Sequence, residues 1–304
     1  MATKKINDLQ LRSDFDDSCN LPADDALQTW RVTGAQIKAA MQTAIAPITT
    51  LGDTLFAGAA GAPTRLAGNT AAVEKVLSQT GTGSVSAAPV WREVKAPTVQ
   101  KFTSGSGTYT TPAGVKWIKV RMVGGGGGGS GSGSSGIAKA GDGGASTFGT
   151  ALLSAGGGIG ATAGAGGAGG TSSLGTGPYG LALQGGGGGG SFNQVSTNGT
   201  MSGGIGGSTA LGGGAAVLGY NVAGGAAYAN TGGGGAGAGS NNINNAQSGC
   251  GGGGGGYVDA WISSPSATYA YSVGAAGTAG AAGVSGNAGG AGGSGVILVE
   301  EFYQ

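Results

Sequence analysis

Gly274-Ala-Ala-Gly-Thr-Ala-Gly-Ala-Ala-Gly-Val-Ser-Gly-Asn-Ala-Gly-Gly-Ala-Gly-Gly-Ser-Gly295 runs straight into Val296-Ile-Leu-Val-Glu-Glu-Phe-Tyr303. In the first part glycine falls at 274, 277, 280, 283, 286, 289, 292 and 295 without a miss. Three residues per turn is the period of a polyproline-II helix, and glycine at every third place leaves one edge bare. Bare edges let neighbouring helices approach until backbone N–H and C=O groups pair, which offsets the entropy glycine loses on ordering. A collagen-like triple helix, an antiparallel bundle of polyglycine-II helices within one chain, and irregular loops all fit such text. Only Pro178 and Pro265 fall in the glycine-rich part, so nothing pre-sets φ for collagen. The longer runs at 185–190 and 251–256 read as reversals and favour the folded bundle. Shorter traces of the same period run through Gly157, Gly160, Ala163, Gly166 and Gly169, and through Gly124, Gly127, then Gly133 and Gly136.

Strand signals frame this text. Lys116-Trp-Ile-Lys-Val-Arg-Met-Val123 alternates, with Ile118, Val120 and Met122 on one face and Lys119 and Arg121 on the other. Tyr257-Val-Asp-Ala-Trp-Ile262 puts Val258, Ala260 and Ile262 inward and Asp259 outward. After a turn at Ser263-Ser-Pro-Ser266, Thr268-Tyr-Ala-Tyr-Ser-Val273 is expected to return as the other half of a hairpin. Val296–Tyr303 is a further strand, and Phe102–Tyr109 reads as one strand leading to a Thr111-Pro-Ala-Gly114 turn. Thr147–Leu153 and Leu181–Gln184 are weaker. Together these predict a β-sandwich with very large loops.

The chain has 304 residues, with 10 of its 75 glycines in residues 1–123 and the other 65 in 124–295. The first zone opens with aperiodic acidic text around Asp14, Asp16, Asp17, Asp24 and Asp25. Leu27–Val32 alternates weakly as a short strand. Thr33 and Gln36 then have capping-box spacing for a helix over 34–46, ended by Pro47. Ile37, Ala40, Met41 and Ile45 share one face of it, and a helix this short needs a partner. In 51–96, Lys75–Ser78 and Pro89–Val94 read as strands around Gly81-Thr-Gly83. So little apolar material cannot close a core, which suggests an extended stalk whose strands are shared between chains.

Charge excludes several functions. Net charge is +1 and charged residues are 9% of the chain. All 14 Lys and Arg lie at or before Lys139, and none of residues 143–258 is charged. Nothing here favours nucleic acid. There is no histidine, so the usual zinc sites are excluded. Asp14, Asp16, Ser18 and Asp25 sit at positions of a calcium loop, but Cys19 stands where the pattern needs glycine and Asp25 where it needs glutamate. No metal and no cofactor is expected. Cys19 and Cys250 read as free thiols of a chain made in a reducing cytosol. The N-terminus has no apolar core of a signal peptide, and no run of about 18 apolar residues could span a membrane. General acid–base work needs paired titratable groups. Within the glycine zone only Asp142 and Asp259 offer themselves, and Glu300 and Glu301 sit on a strand. An enzyme is not expected.

What remains is recognition by shape. The aromatics Tyr179, Phe192, Tyr220 and Tyr228 stand out in small-residue text as contact candidates. Asn241 and Asn242 add neutral donors and acceptors suited to sugars or protein loops. Each has a plainer role too, as a loop staple or a polar loop tip.

Several stretches carry a resemblance. Phe102-Thr-Ser-Gly-Ser-Gly-Thr-Tyr-Thr-Thr-Pro-Ala-Gly-Val-Lys-Trp-Ile-Lys-Val-Arg-Met-Val-Gly-Gly-Gly126 resembles the start of the glycine-rich domain of bacteriophage tail fibres, and 292–303 is similar to how such domains close. Ala62-Pro-Thr-Arg-Leu-Ala-Gly-Asn-Thr70, with Lys75-Val-Leu-Ser and Pro89-Val-Trp, resembles a stalk repeat of the same proteins. Lys4-Lys-Ile-Asn-Asp-Leu and Arg31-Val-Thr-Gly-Ala-Gln-Ile-Lys look like their attachment region. The triplet spacing is also similar to that of the polyglycine-II adhesin tips of T-even-like phages.

The resemblance implies a homotrimeric fibre of the virion tail, assembled in the host cytoplasm. Its N-terminus would meet other tail or baseplate proteins, and its tip a bacterial surface receptor, an outer-membrane protein or a glycan. The expectation is a mainly β chain in three parts: a virion-attachment region at 1–46 with one short helix, a stalk at 47–96, and a glycine-rich β-sandwich tip at 97–304. The alternative is a structural tail or baseplate component that binds no receptor. An ice-binding polyglycine-II protein is a third possibility, and the attachment zone counts against it.

Overall fold

A computed structural model describes residues 20–24, 29–33, 35–36, 39, 48–191, 201–216, 219–240 and 246–304. The described chain is mainly β and antiparallel. Its contacts divide it into two units, Met1–Val94 and Lys95–Gln304.

The first unit is made of short hairpins. β1 (Asn20–Asp24) pairs with β2 (Thr29–Thr33), β3 (Thr54–Ala57) with β4 (Pro63–Leu66), and β5 (Lys75–Ser78) with β6 (Val90–Glu93). The acidic text, which shows no period, therefore supplies a strand. The strands expected to be shared between chains pair within this one. Ala35, Gln36 and Ala39 are helical, and the rest of the expected 34–46 helix lies outside the described residues. Of residues 48–94 none reaches the buried class; Leu55, Val76, Leu77, Val85 and Val90 are exposed.

Asp53 holds the β3–β4 hairpin. Its carboxylate accepts hydrogen bonds from the amides of Thr49 (2.9 Å), Thr50 (2.8 Å) and Gly68 (2.9 Å), and from Arg65 Nε (2.7 Å) and a second guanidinium nitrogen (3.1 Å). The Arg65 guanidinium, with these amides, holds the carboxyl well below the usual carboxylate range. A depressed folded value means stability that is complete above the unfolded value of about 4 and drains as pH falls below it. Amide protection factors in β3 and β4, taken against the intrinsic rate at each pH, are therefore expected to fall below about pH 4. Asp53→Asn is expected to show low protection factors at all pH and to lose that dependence. Unchanged protection of the wild-type hairpin at pH 2.5 would overturn the assignment.

The second unit is a sandwich that carries a glycine lattice. Its strands are β7 (Thr98–Phe102), β8 (Ser106–Thr110), β9 (Trp117–Val123), β10 (Ser146–Phe148), β11 (Leu153–Ala155), β12 (Ser172–Leu174), β13 (Tyr179–Leu183), β14 (Tyr257–Ser263), β15 (Thr268–Ser272) and β16 (Val296–Phe302). One five-stranded sheet has the order β13-β14-β9-β16-β7, the other β12-β11-β10-β15-β8. The expected inward triads do face the core. Ile118, Val120, Met122, Val258, Ala260 and Ile262 pack with Ile297 and Val299 against Tyr109, Phe148, Leu153 and Tyr269 of the other sheet. The Phe148 and Tyr269 rings stack at 4.9 Å.

Three expectations need correction. Phe102–Tyr109 is not one strand: β7 and β8 lie in different sheets, with the chain turning at Gly105, whose φ of +72° suits glycine. β14 and β15 are not a hairpin either, because β15 crosses to pair with β8 and β10. Thr147–Leu153 is the core of a two-strand hairpin, β10–β11, rather than a single strand.

The glycine text is ordered by backbone hydrogen bonds. Segment 124–133, which follows β9, donates in rotation to three neighbours. Gly124, Gly127, Ser130 and Gly133 donate to the carbonyls of Gly256, Gly253, Cys250 and Gln247. Gly125 and Gly128 donate to Gly144 and Gly141, and Gly126, Gly129 and Ser132 to Gly293, Gly290 and Asn287. The partner number falls by three as the donor rises by three, so these neighbours are antiparallel. Its carbonyls accept from three more: Gly125 and Gly128 from Gly158 and Ala161, Gly126 and Gly129 from Gly277 and Gly280, and Gly127 and Ser130 from Gly235 and Ala238. Here both numbers rise together, and the neighbours are parallel.

Segment 247–256 is surrounded in the same way. It donates towards Gly232–Ala238, Gly186–Gly189 and Gly156–Ile159, and accepts from Gly124–Ser130, Gly167–Gly170 and Gly204–Gly207. The runs 185–190 and 251–256 are thus straight members of the lattice, not its reversals. The lattice begins and ends at the sandwich, where Gly124 follows β9, Gly256 precedes β14, Gly274 follows β15 and Gly295 precedes β16. Reversals at the far end include Thr162–Ala165, where Thr162 donates to Ala165, and Val284–Ser285, where Gly286 donates to Gly283.

Serine replaces glycine where a side chain completes the network. Ser132 Oγ donates to Gly239 O (2.8 Å) and accepts from Asn287 N (2.9 Å). Ser146 Oγ donates to Val123 O (2.7 Å) and accepts from Gly274 N (2.9 Å), which sews lattice to sandwich. Asp142 accepts from Gly160 N at 2.8 Å, and Lys139 beside it, with that amide, holds its carboxyl below the usual range. Cys250 is free and buried in the lattice, while Cys19 lies outside the described residues.

Candidate binding site

The three sequence candidates that are described, Tyr179, Tyr220 and Tyr228, do not gather at one place. Tyr179 is on β13, an edge strand of the sandwich, and is 52% exposed. Tyr220 is at the far end of the lattice, bridged to Ser202. Tyr228 is 85% exposed, on a turn next to the sandwich, where its carbonyl accepts from Thr231 Oγ1 at 2.7 Å. Phe192, Asn241 and Asn242 lie outside the described residues.

Tyr179 has aromatic company that sequence reasoning passes over. Register sets Tyr179 opposite Trp261 of β14, Trp261 opposite Lys119 of β9, and Lys119 opposite Glu300 of β16. Trp117 stands opposite Phe302. All of these side chains are on the outward face, because their strand neighbours Ile118, Ala260, Ile262 and Glu301 are buried. Trp117, Tyr179, Trp261, Phe302 and Gln304 border a cleft of about 300 Å³. The Trp261 and Phe302 ring centroids are 5.2 Å apart. The signal was available: Trp117 and Trp261 alternate with the core residues, in step with Lys119 and Asp259.

A band of charge borders the rings. Lys119 Nζ is 3.3 Å from Asp259 Oδ2 and 5.5 Å from the Trp261 ring centroid. Arg121 pairs with Glu300. The Tyr257 hydroxyl titrates above its ordinary value because of burial and, next, the charge of Asp259. The charges neutralise one another in pairs, so the face offers fixed donors and acceptors without a strong field.

The acids considered for catalysis are separated by this geometry. Glu300 faces outward to Arg121, whereas Glu301 is 1% exposed inside the sandwich and accepts hydrogen bonds from Thr98, Gln100 and Tyr109. Among the described residues no group of three or more Cys, Asp or Glu side chains could hold a metal ion. No family model, no curated protein and no solved structure matches the chain.

Proposed function

We propose that the protein is a trimeric tail fibre whose C-terminal unit is an adhesin for a bacterial surface, with no catalytic role. The glycine lattice is, on this reading, a polyglycine-II bundle. Its three-residue hydrogen-bond rotation supports that, as does the absence of positive φ at glycines 124–129 and 251–256. The observation that carries the function is the rigid presentation of turns. Backbone hydrogen bonds on every side of segments 124–133 and 247–256 fix a platform whose far end is a set of reversals. Loops on a rigid scaffold are where recognition is usually placed. Several copies would bind by avidity through weak neutral contacts.

Trimerisation is supported by the first unit, whose exposed Leu55, Val76, Leu77 and Val90 have no core of their own. A virion tail component made in the host cytoplasm and anchored through its N-terminus fits these features.

The test uses the labelled full-length protein on a panel of bacterial strains, with light scattering alongside. A solution mass near three times 28.3 kDa and binding to a subset of strains are expected. Binding should disappear when charged linkers are inserted in the Thr162–Ala165 and Val284–Ser285 turns. A folded trimer that binds no strain would point instead to a structural tail or baseplate role.

A further inference from the structure

We propose that the cleft bordered by Trp117, Tyr179, Trp261 and Phe302 binds the pyranose ring of a neutral sugar. It is a second site, remote from the lattice turns. β9 runs from Trp117 to Val123 before the lattice starts, about 20 Å at strand rise. Segment 124–133 then adds about 30 Å to the far end.

Three observations select the ligand. The first is the surface itself: Trp117 is 39% and Tyr179 52% exposed, in a chain with 6% aromatic residues. Aromatic faces carry negative potential, and the C–H bonds on one face of a pyranose carry a small positive one, so ring and ring lie flat together. The second is size. A cleft of about 300 Å³ is at the small end of ligand pockets, enough for one or two sugar rings and too small for a protein segment of many residues. The third is the rim. Lys119 with Asp259, and the Gln304 amide, offer donors and acceptors beside the rings. Ring hydroxyls can use both, whereas an apolar side chain would leave them idle. Because Lys119 and Asp259 already neutralise one another, a charged ligand gains little over a neutral one.

Saturation-transfer NMR on the full-length protein tests this, using methyl β-glucopyranoside, methyl β-galactopyranoside and N-acetylglucosamine. Mannitol serves as a polyol without a ring face. At least one pyranoside is expected to bind with millimolar affinity, as suits a single shallow contact, and mannitol not at all. Trp261→Ala should weaken binding at least tenfold, while Trp261→Phe keeps most of it. Trp261 is half-buried against Phe302, so Trp261→Ala should melt below wild type and Trp261→Phe close to it; binding is read well below both melting temperatures, which separates loss of the site from loss of the fold. The proposal is overturned if no pyranoside gives signal up to ~100 mM, or if the signal survives Trp261→Ala. It is also overturned if Trp117 and Trp261 are shielded from a soluble quencher in the assembled protein, since a second copy would then occupy the face. Cell binding through the lattice turns is read in a separate assay and can fail or succeed independently.

Discussion

Gly252→Ala is expected to destabilise the C-terminal unit strongly, whereas Gly187→Ala leaves it as stable as before or slightly more so. Both glycines sit in straight glycine runs of one lattice, and local sequence does not tell them apart. Gly252 belongs to the enclosed segment 247–256. A Cβ there would land on the Gly127 carbonyl and come within 2.5 Å of the Gly128 oxygen. These are backbone atoms tied into their own hydrogen bonds, so neither can swing away, and relief requires two segments to part. Overpacking of this kind costs about 3 kcal/mol or more. For a domain of this size that lowers Tm by roughly 6–12 °C, at 2–4 °C per kcal/mol.

Gly187 faces outward from segment 185–190, and the nearest atom to a Cβ would be the Gly167 oxygen at 3.7 Å. Its φ is not in the left-handed region. Alanine there reduces the freedom of the unfolded chain and contributes about 0.4–1 kcal/mol of stability. Differential scanning calorimetry of both variants decides the matter. Equal shifts would mean that the lattice does not depend on close backbone approach.

The contrast also explains how far the glycine text could be read. The number of glycine edges on a segment tracks the number of its neighbours. Segment 124–129 is glycine throughout and has partners all round, whereas 274–283 has glycine every third place and exposes Ala275, Ala276, Ala279 and Ala282. The triplet period therefore made an extended, laterally paired segment legible. Which segments pair was not, because glycine carries no side chain to distinguish one partner from another. Consecutive glycines looked like reversals for the same reason; 251–256 proved to be buried throughout, and 185–190 a straight, partly exposed segment.

The sandwich was legible where alternation applies. Ile118, Val120 and Met122 could be placed inward because period 2 fixes the face of a strand. Period 2 does not fix the sheet. Tyr257–Ser263 and Thr268–Ser272 look like a hairpin, yet Ser264 adopts a φ of +48° and the chain passes to the other sheet. The candidate site was half-legible. Tyr179 stood out as an aromatic in small-residue text, whereas Trp117 and Trp261 sit on strands whose alternation marks the core side more strongly than the outer one.

Glu301→Ala is expected to cost the sandwich about 3 kcal/mol or more, and Tyr109→Phe about 1–2 kcal/mol. Among the described residues Glu301 is the one buried acid, and its carboxylate ties the two sheets together. Thr98 Oγ1 and Gln100 Nε2 (2.6 Å) of β7 donate to it within its own sheet, and Tyr109 Oη of β8 donates from the opposite sheet at 3.1 Å. Tyr303 Oη extends the chain at 2.7 Å from Thr98. Burial and, next, the charge of Glu301 push the Tyr109 hydroxyl well above the ordinary phenol range, as suits a donor to the carboxylate. Alanine at 301 removes the shared acceptor; exposed Thr98 and half-buried Gln100 can turn towards water, whereas the buried Tyr109 hydroxyl is left facing a cavity at the desolvation cost of an unpaired donor. Phenylalanine at 109 removes one donor and keeps the ring packed against Phe148 at 5.5 Å. Urea unfolding of the two single variants and the double variant gives the coupling directly. If the carboxylate works as the shared acceptor, the double variant costs less than the sum of the singles, because the Tyr109 hydroxyl is already idle once Glu301 is gone. Additive effects, or a Glu301→Ala cost below about 1 kcal/mol, would mean that the sheets are held by apolar packing alone.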